Sequence, residues 1–167
     1  QAWIVLAAAK MRDAGKSVNE ILEKLNQIQK ATYTHFTLPD LKYLIAGGRI
    51  SHLKGLLASL LGIKPVIDVS KVDGKYYDKI KKRSFQKAIV GLTELVLQNA
   101  PEGSKLQAQI CTAANPEGSE MLKEVMNRLF QVNWLPDARL GTALGAHTGR
   151  GLVGIIYARE DALPELP

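Results

Sequence analysis

Residues Leu38 to Ser51 read L-P-D-L-K-Y-L-I-A-G-G-R-I-S, and they separate a helical start from an alternating remainder. Pro39 and Asp40 mark a turn or helix start, after which Leu41, Leu44 and Ile45 recur at helical spacing with Tyr43 beside them. Gly47 and Gly48 stop that short helix, because glycine enters the left-handed conformation past a helix end without a Cβ clash. Arg49 is thereby delivered on a turn poor in side chains, with Ile50 as an apolar anchor and Ser51 as a cap for a next helix. A guanidinium held there offers a fixed fork of donors to a carboxylate or phosphate. A glycine C-cap followed by a solvated arginine is the plain alternative, and it uses the same residues.

Upstream, Trp3 to Ala14 reads as a helix ended by Gly15, and Ser17-Val18-Asn19-Glu20 as a capping box. Val18, Ile21, Leu22, Leu25 and Ile28 then keep one apolar face through Lys30. Thr32 to Leu38, β-branched and aromatic, is a predicted strand, with His35 as a strand histidine because no partner sits at metal-ligand spacing. Downstream, Leu53 to Leu61 is apolar almost all round, which predicts a buried helix or pocket wall closed by Gly62. Ile63 to Val69 is a strand in which Pro65 marks an edge or a bulge. Asp73-Gly74 signals a hairpin, with Lys75 to Ile80 returning.

A helix from Arg83 carries Phe85, Ala88, Ile89, Leu92, Leu95 and Val96 on one face and ends near Ala100-Pro101. Lys105 to Ala113 alternates as a half-buried strand does, and its Cys111 reads as a small core residue. Asn115-Pro116 supplies an N-cap and an N1 proline for a helix whose core face holds Met121, Leu122, Val125, Met126 and Leu129. Gln131 to Leu135 and Leu152 to Ala158 are strands flanking a glycine-rich loop over Gly141 to Gly151, and the tail from Leu163 to Pro167 is expected to fray. Strands and helices alternate around at least one hairpin, so the expected fold is α/β, a mixed β-sheet flanked by helices.

With 167 residues, 46% of them hydrophobic and 23% charged, the chain makes one domain, or one domain and a piece of another, with a real core. No apolar run approaches the roughly 18 residues that span a bilayer. The apolar start, Gln1 to Ala9, lacks a preceding basic region and reads as a buried helix entered partway, hence a fragment rather than a signal peptide. The net charge of +6 is spread along the chain, its densest run being Lys79 to Arg83. Scattered cations without an aromatic stacking set argue against nucleic acid as a partner. The single cysteine allows no internal disulfide and fits a reducing, cytoplasmic setting.

A second site-like stretch, Thr142 to Gly151, reads T-A-L-G-A-H-T-G-R-G. Its glycines would let the backbone approach a ligand and present consecutive N–H groups to an anion. His147 supplies an imidazole, and Thr148 adds a hydroxyl. No P-loop, G-x-S-x-G, H-E-x-x-H or C-x-x-C is present, and Asp40, Asp68 and Asp137 read as caps and turn residues. An arginine loop, a histidine loop and an apolar helix between them suit an amphiphile, with donors for its head and Leu53, Leu56, Leu57 and Leu60 for its tail. A phosphate- or nucleotide-binding enzyme domain using the same two loops is the alternative, against which stands the lack of a P-loop or a carboxylate cluster for Mg²⁺.

The ordered set D-L-x-Y-L-x-x-G-G-R-I-S at 40–51, I-K-P-V-I at 63–67, D-G-K at 73–75, R-x-x-x-K-A at 83–88 and H-T-G-x-G at 147–151 resembles the DegV family. The resemblance implies a bacterial protein that binds a long-chain fatty acid between two α/β domains. It also implies presentation of the carboxylate to a dihydroxyacetone-kinase-like fatty acid kinase, the protein itself having no catalytic residue, metal or cofactor. On that pattern residues 1–31 are the end of the N-terminal domain and 32–167 the C-terminal domain. Arg49, His147 and Thr148 would face the head group or the kinase, and the partner list holds neither nucleic acid nor stable membrane insertion. Arg150 stands where the family usually has proline, which adds a charge beside His147.

Overall fold

The structure is a computed structural model that describes residues 2–48 and 62–166. Arg49 and the apolar stretch containing Leu53, Leu56, Leu57 and Leu60 lie outside the described residues.

Helices α1 (Ala2–Asp13) and α2 (Val18–Ala31) open the chain, joined at Gly15, whose φ is +73°. The capping box is present in full: the Ser17 side chain accepts from Glu20 N–H, and the Glu20 carboxylate accepts from Ser17 N–H. Strand β1 (Tyr33–Thr37) and the short helix α3 (Lys42–Ala46) follow. Asp40 caps that turn by accepting from Lys42 N–H at 2.8 Å, and the helix ends at Gly47, with Gly48 at φ +68°.

Strands β2 (Lys64–Val69) and β3 (Tyr76–Lys82) form the hairpin, closed through Gly74 at φ +69°. Pro65 is neither at an edge nor in a bulge: it pairs in register with Lys81 on an inner strand, the edge belongs to β3, and the register slips between Val66 and Ile67, where Lys79 of β3 is the extra residue. Helix α4 (Phe85–Asn99) starts at the Ser84 cap, and β4 (Lys105–Thr112) leads into α5 (Pro116–Leu129) through Asn115 as N-cap. Strands β5 (Gln131–Trp134) and β6 (Ala138–Arg139), helix α6 (Thr142–Thr148), strand β7 (Val153–Arg159) and a 3₁₀ turn (Glu160–Ala162) complete it.

The seven strands described form one mixed sheet in the order β3-β2-β1-β7-β4-β5, with β6 also beside β4. The pairs β4–β5 and β4–β6 are parallel and the others antiparallel. One face packs on α4 and α5, where Val66, Leu92, Leu106, Ile110, Leu122 and Ile155 are fully or almost fully buried. The opposite face carries a second cluster, Phe36, Leu38, Leu41, Leu44, Ile67 and Leu152, under the loops and short helices. No described helix is long and apolar enough to cross a membrane.

Three further expectations change. Residues 142–148 are helical where a glycine-rich loop was expected, with Gly145 N–H donating to Gly141 and Gly149 N–H to Gly145. These N–H groups are therefore spent within the chain and do not form an open anion nest. The tail does not splay away: Leu163 and Pro164 are half-buried and share a cleft with Trp3 and Leu6 of α1. Asp68 is no turn residue but lies within β2, beside His35.

Candidate functional site

The two motif segments meet at three places where only a glycine leaves room. A Cβ on Gly47 would stand 2.3 Å from His147 Nδ1, so the end of α3 lies directly on the imidazole. A Cβ on Gly149 would stand 2.2 Å from the Tyr43 ring, and one on Gly151 would stand 2.9 Å from Pro39 Cγ. Both of those glycines have positive φ, +73° and +94°. Segment 39–48 is thus interlocked with segment 147–151, although a hundred positions separate Gly47 from His147.

His147 is half-buried at the end of α6. Thr148 is buried, and its hydroxyl donates to the Leu144 carbonyl at 3.1 Å. Arg150 is exposed. Arg49, two residues past Gly47, lies outside the described residues, so the site shows the histidine and the turn that leads to the arginine.

Below this junction a narrow cavity of about 150 Å³ runs between α6 and the second face of the sheet. Phe36, Val69, Tyr76, Cys111, Leu144 and Ile156 are among its walls, and their surface is almost wholly apolar. Its floor follows from strand alternation: Phe36, Gly154 and Cys111 stand side by side across β1, β7 and β4. Gly154 supplies no side chain, so the floor dips there, and Phe36 packs edge-on against Tyr76 at 5.2 Å to close one flank. Cys111 is half-buried on this wall, and burial raises its thiol above the ordinary value. It is a lining residue rather than a core one.

The other face holds a polar knot that motif reading missed. His35 is buried, with Nε2 3.1 Å from the Tyr157 hydroxyl, to which Asn99 Nδ2 also donates at 3.1 Å. An Asp68 carboxylate oxygen lies 3.0 Å from His35 Nδ1 without an aligned hydrogen bond between them. Burial lowers the His35 pKa, against the pull of Asp68, and burial raises that of Tyr157. Lys71 Nζ sits 3.2 Å from the centre of the Tyr33 ring and donates to the Lys30 carbonyl, tying α2 to the hairpin. No group of three or more potential metal ligands occurs among the described residues. Asp137 accepts from the Ser119 hydroxyl at 2.8 Å and pairs with Lys123, which accounts for that carboxylate structurally.

An interlocked pair of polar loops over an apolar cavity can hold a molecule with one polar end. Comparison with known proteins agrees in fold. A DegV domain-containing protein of Clostridium perfringens is 33% identical over 157 residues, 94% of this chain and 55% of that protein. A Thermotoga maritima structure described as revealing fatty acid binding function matches with a TM-score of 0.80 at 26% identity, covering 95% of this chain and 54% of the other. The Bacillus subtilis protein DegV, a fatty acid binding protein, matches with a TM-score of 0.75 at 25% identity, covering 95% and 56%. This chain therefore spans about half the length of the relatives it matches. The family model described as uncharacterised protein, DegV family, covers residues 1–160, and the chain belongs to the DegV family.

Proposed function

We propose that the protein binds a long-chain fatty acid, its tail in the cavity on the second face of the sheet and its carboxylate at the interlocked loops. The observation that carries this reading is the apolar cavity walled by Leu144 and Thr148 of α6, the helix whose His147 meets Gly47. Related proteins described as fatty acid binding support it. Arg49 and His147 are assigned to the head group; Thr148 lines the passage just below it. Residues 1–31 are read as the end of a preceding α/β domain and 32–167 as the C-terminal domain. The finer role, presenting the carboxylate to a fatty acid kinase in the cytoplasm without catalysing the transfer itself, rests on the family resemblance. There, positive charge at the head group would stabilise the acyl phosphate as it forms.

Native mass spectrometry of the full-length protein as purified tests the binding. A co-purified mass matching a long-chain fatty acid is expected. Arg49→Ala should weaken retention modestly, since a charge-assisted hydrogen bond contributes about 1.5–3 kcal/mol against about 0.8 kcal/mol for each buried methylene. The same variant should cut acyl-phosphate formation by an added kinase much more. A wild-type protein that neither carries nor takes up any fatty acid would overturn the reading.

A further inference from the structure

The cavity has a definite far end. Its two cavity-facing rows across β1, β7 and β4 are Phe36–Gly154–Cys111 and, one step farther from the loops, Thr34–Ile156–Gln109. The first row is open at its middle because Gly154 has no side chain. In the second, Ile156 lines the cavity, and Gln109 stands beside it in register, behind the lining. The Gln109 amide is held at both ends: Nε2 donates to the Pro136 carbonyl at 2.7 Å, and Oε1 accepts from the Trp3 indole N–H at 3.0 Å. One cavity-facing step farther along β4, Gln107 lines a separate cleft of about 400 Å³, shared with Trp3, Leu6, Ile28 and Leu163. Gln109 therefore stands on one strand face between Cys111 in the first cavity and Gln107 in the second.

We propose that Gln109, behind Ile156, is the stop that sets the acyl chain length this protein takes, and that the cleft beyond it is closed to the chain only by this partition. The proposal rests on the fatty acid reading above. A methyl end arriving at Gln109 meets a polar group whose donor and acceptor are already satisfied. Displacing it would break the part-buried hydrogen bond from the Trp3 indole N–H, which costs more than one further methylene returns. Trp3 comes from α1, so the stop is built jointly by the first helix and the sheet.

The test uses the full-length protein and a panel of straight-chain saturated acids from short to long, each measured by competition against a fluorescent fatty acid. Wild type should tighten about fourfold for each added methylene, the effect of about 0.8 kcal/mol per buried CH₂, up to a length beyond which affinity falls. In Gln109→Ala and in Ile156→Ala that break should move to longer acids by about five carbons, since two strand residues rise about 7 Å. Ile156→Trp should move it the other way. A merely structural role for Gln109 would weaken every acid alike and leave the break in place, and that result overturns the proposal. So does an unchanged profile at ordinary affinity. Should Gln109→Ala fail to fold, the two Ile156 variants decide alone. If wild type binds no acid of any length, the fatty acid reading itself falls; if wild type binds and the variants keep its break, only the stop falls.

Discussion

Gly149 is constrained twice, by a φ of +73° with ψ near 180° and by the Tyr43 ring in the place of its absent Cβ. That backbone region is almost confined to glycine, at a cost of about 1–3 kcal/mol for other residues, and overpacking adds a comparable amount. Gly149→Ala should therefore lower unfolding free energy by about 2–5 kcal/mol, measured by urea denaturation. Gly47 has an ordinary φ of −78°, and a Cβ there would meet the His147 ring at 2.3 Å and the Tyr43 carbonyl at 3.1 Å. Gly47→Ala should cost little stability but turn the imidazole aside and loosen fatty acid retention. His35 makes a pH prediction at the same scale. Burial lowers its folded pKa below the unfolded value, so the folded state resists taking the proton. Its contribution is fully present above the unfolded pKa, about 6.5, and is lost as pH falls below it. The urea midpoint should drop between pH 7.5 and 5.5, and His35→Gln should flatten that slope. A midpoint that holds steady in wild type across that range would show His35 to be charged in the fold.

Among elements, the helices that announce themselves by period and cap were readable before any coordinates. The Ser17–Glu20 box and the Asn115-Pro116 start stand where the spacing put them, because a cap and an apolar period both act locally. Helix α6 was not readable. Its glycines argue for a loop, and the helix is held instead by contacts with α3 that come from far along the chain. The two-residue strand β6 carries too short a pattern to be seen. Asn115 shows how much one cap can join: its Oδ1 accepts from Gly118 N–H, while its Nδ2 donates to the Gly151 carbonyl. Asn115→Ala should cost about 2 kcal/mol, above the usual value of about 1 for a cap. Asn115→Asp should recover the cap half alone. Thermal unfolding of the three proteins separates the two contributions.

For the whole molecule, the sequence separates two questions that the sheet answers together. The motifs at 40–51 and 147–151 were recognisable as polar stretches, but their meeting was not, since it depends on three glycine contacts between segments about a hundred residues apart. The tail cavity is expected on Leu53 to Leu61, which lies outside the described residues; among the described residues, a cavity wall is the second face of the sheet. Alternation in β4 places Cys111 on that wall without saying which face is open. The thiol then becomes a reporter. Alkylation of Cys111 in the full-length protein should be slow, and saturating fatty acid should slow it at least about tenfold further, the ratio for 1.4 kcal/mol of protection. Equal rates with and without ligand would place the acyl chain elsewhere.

Strand β7 is late in the chain yet central in the sheet, bonded to β1 on one side and β4 on the other. During synthesis, the hairpin side made from residues 33–82 and the parallel side made from 105–134 have no strand pairing between them until residues 153–159 leave the ribosome, and only helix packing through α4 links them. Each half-sheet meanwhile exposes one inner edge and the apolar floor of the future cavity. Pairing across about 120 positions is slow, so a nascent chain carries sticky surface until β7 docks. Chaperone demand should accordingly peak just before the last strand emerges and fall once it docks.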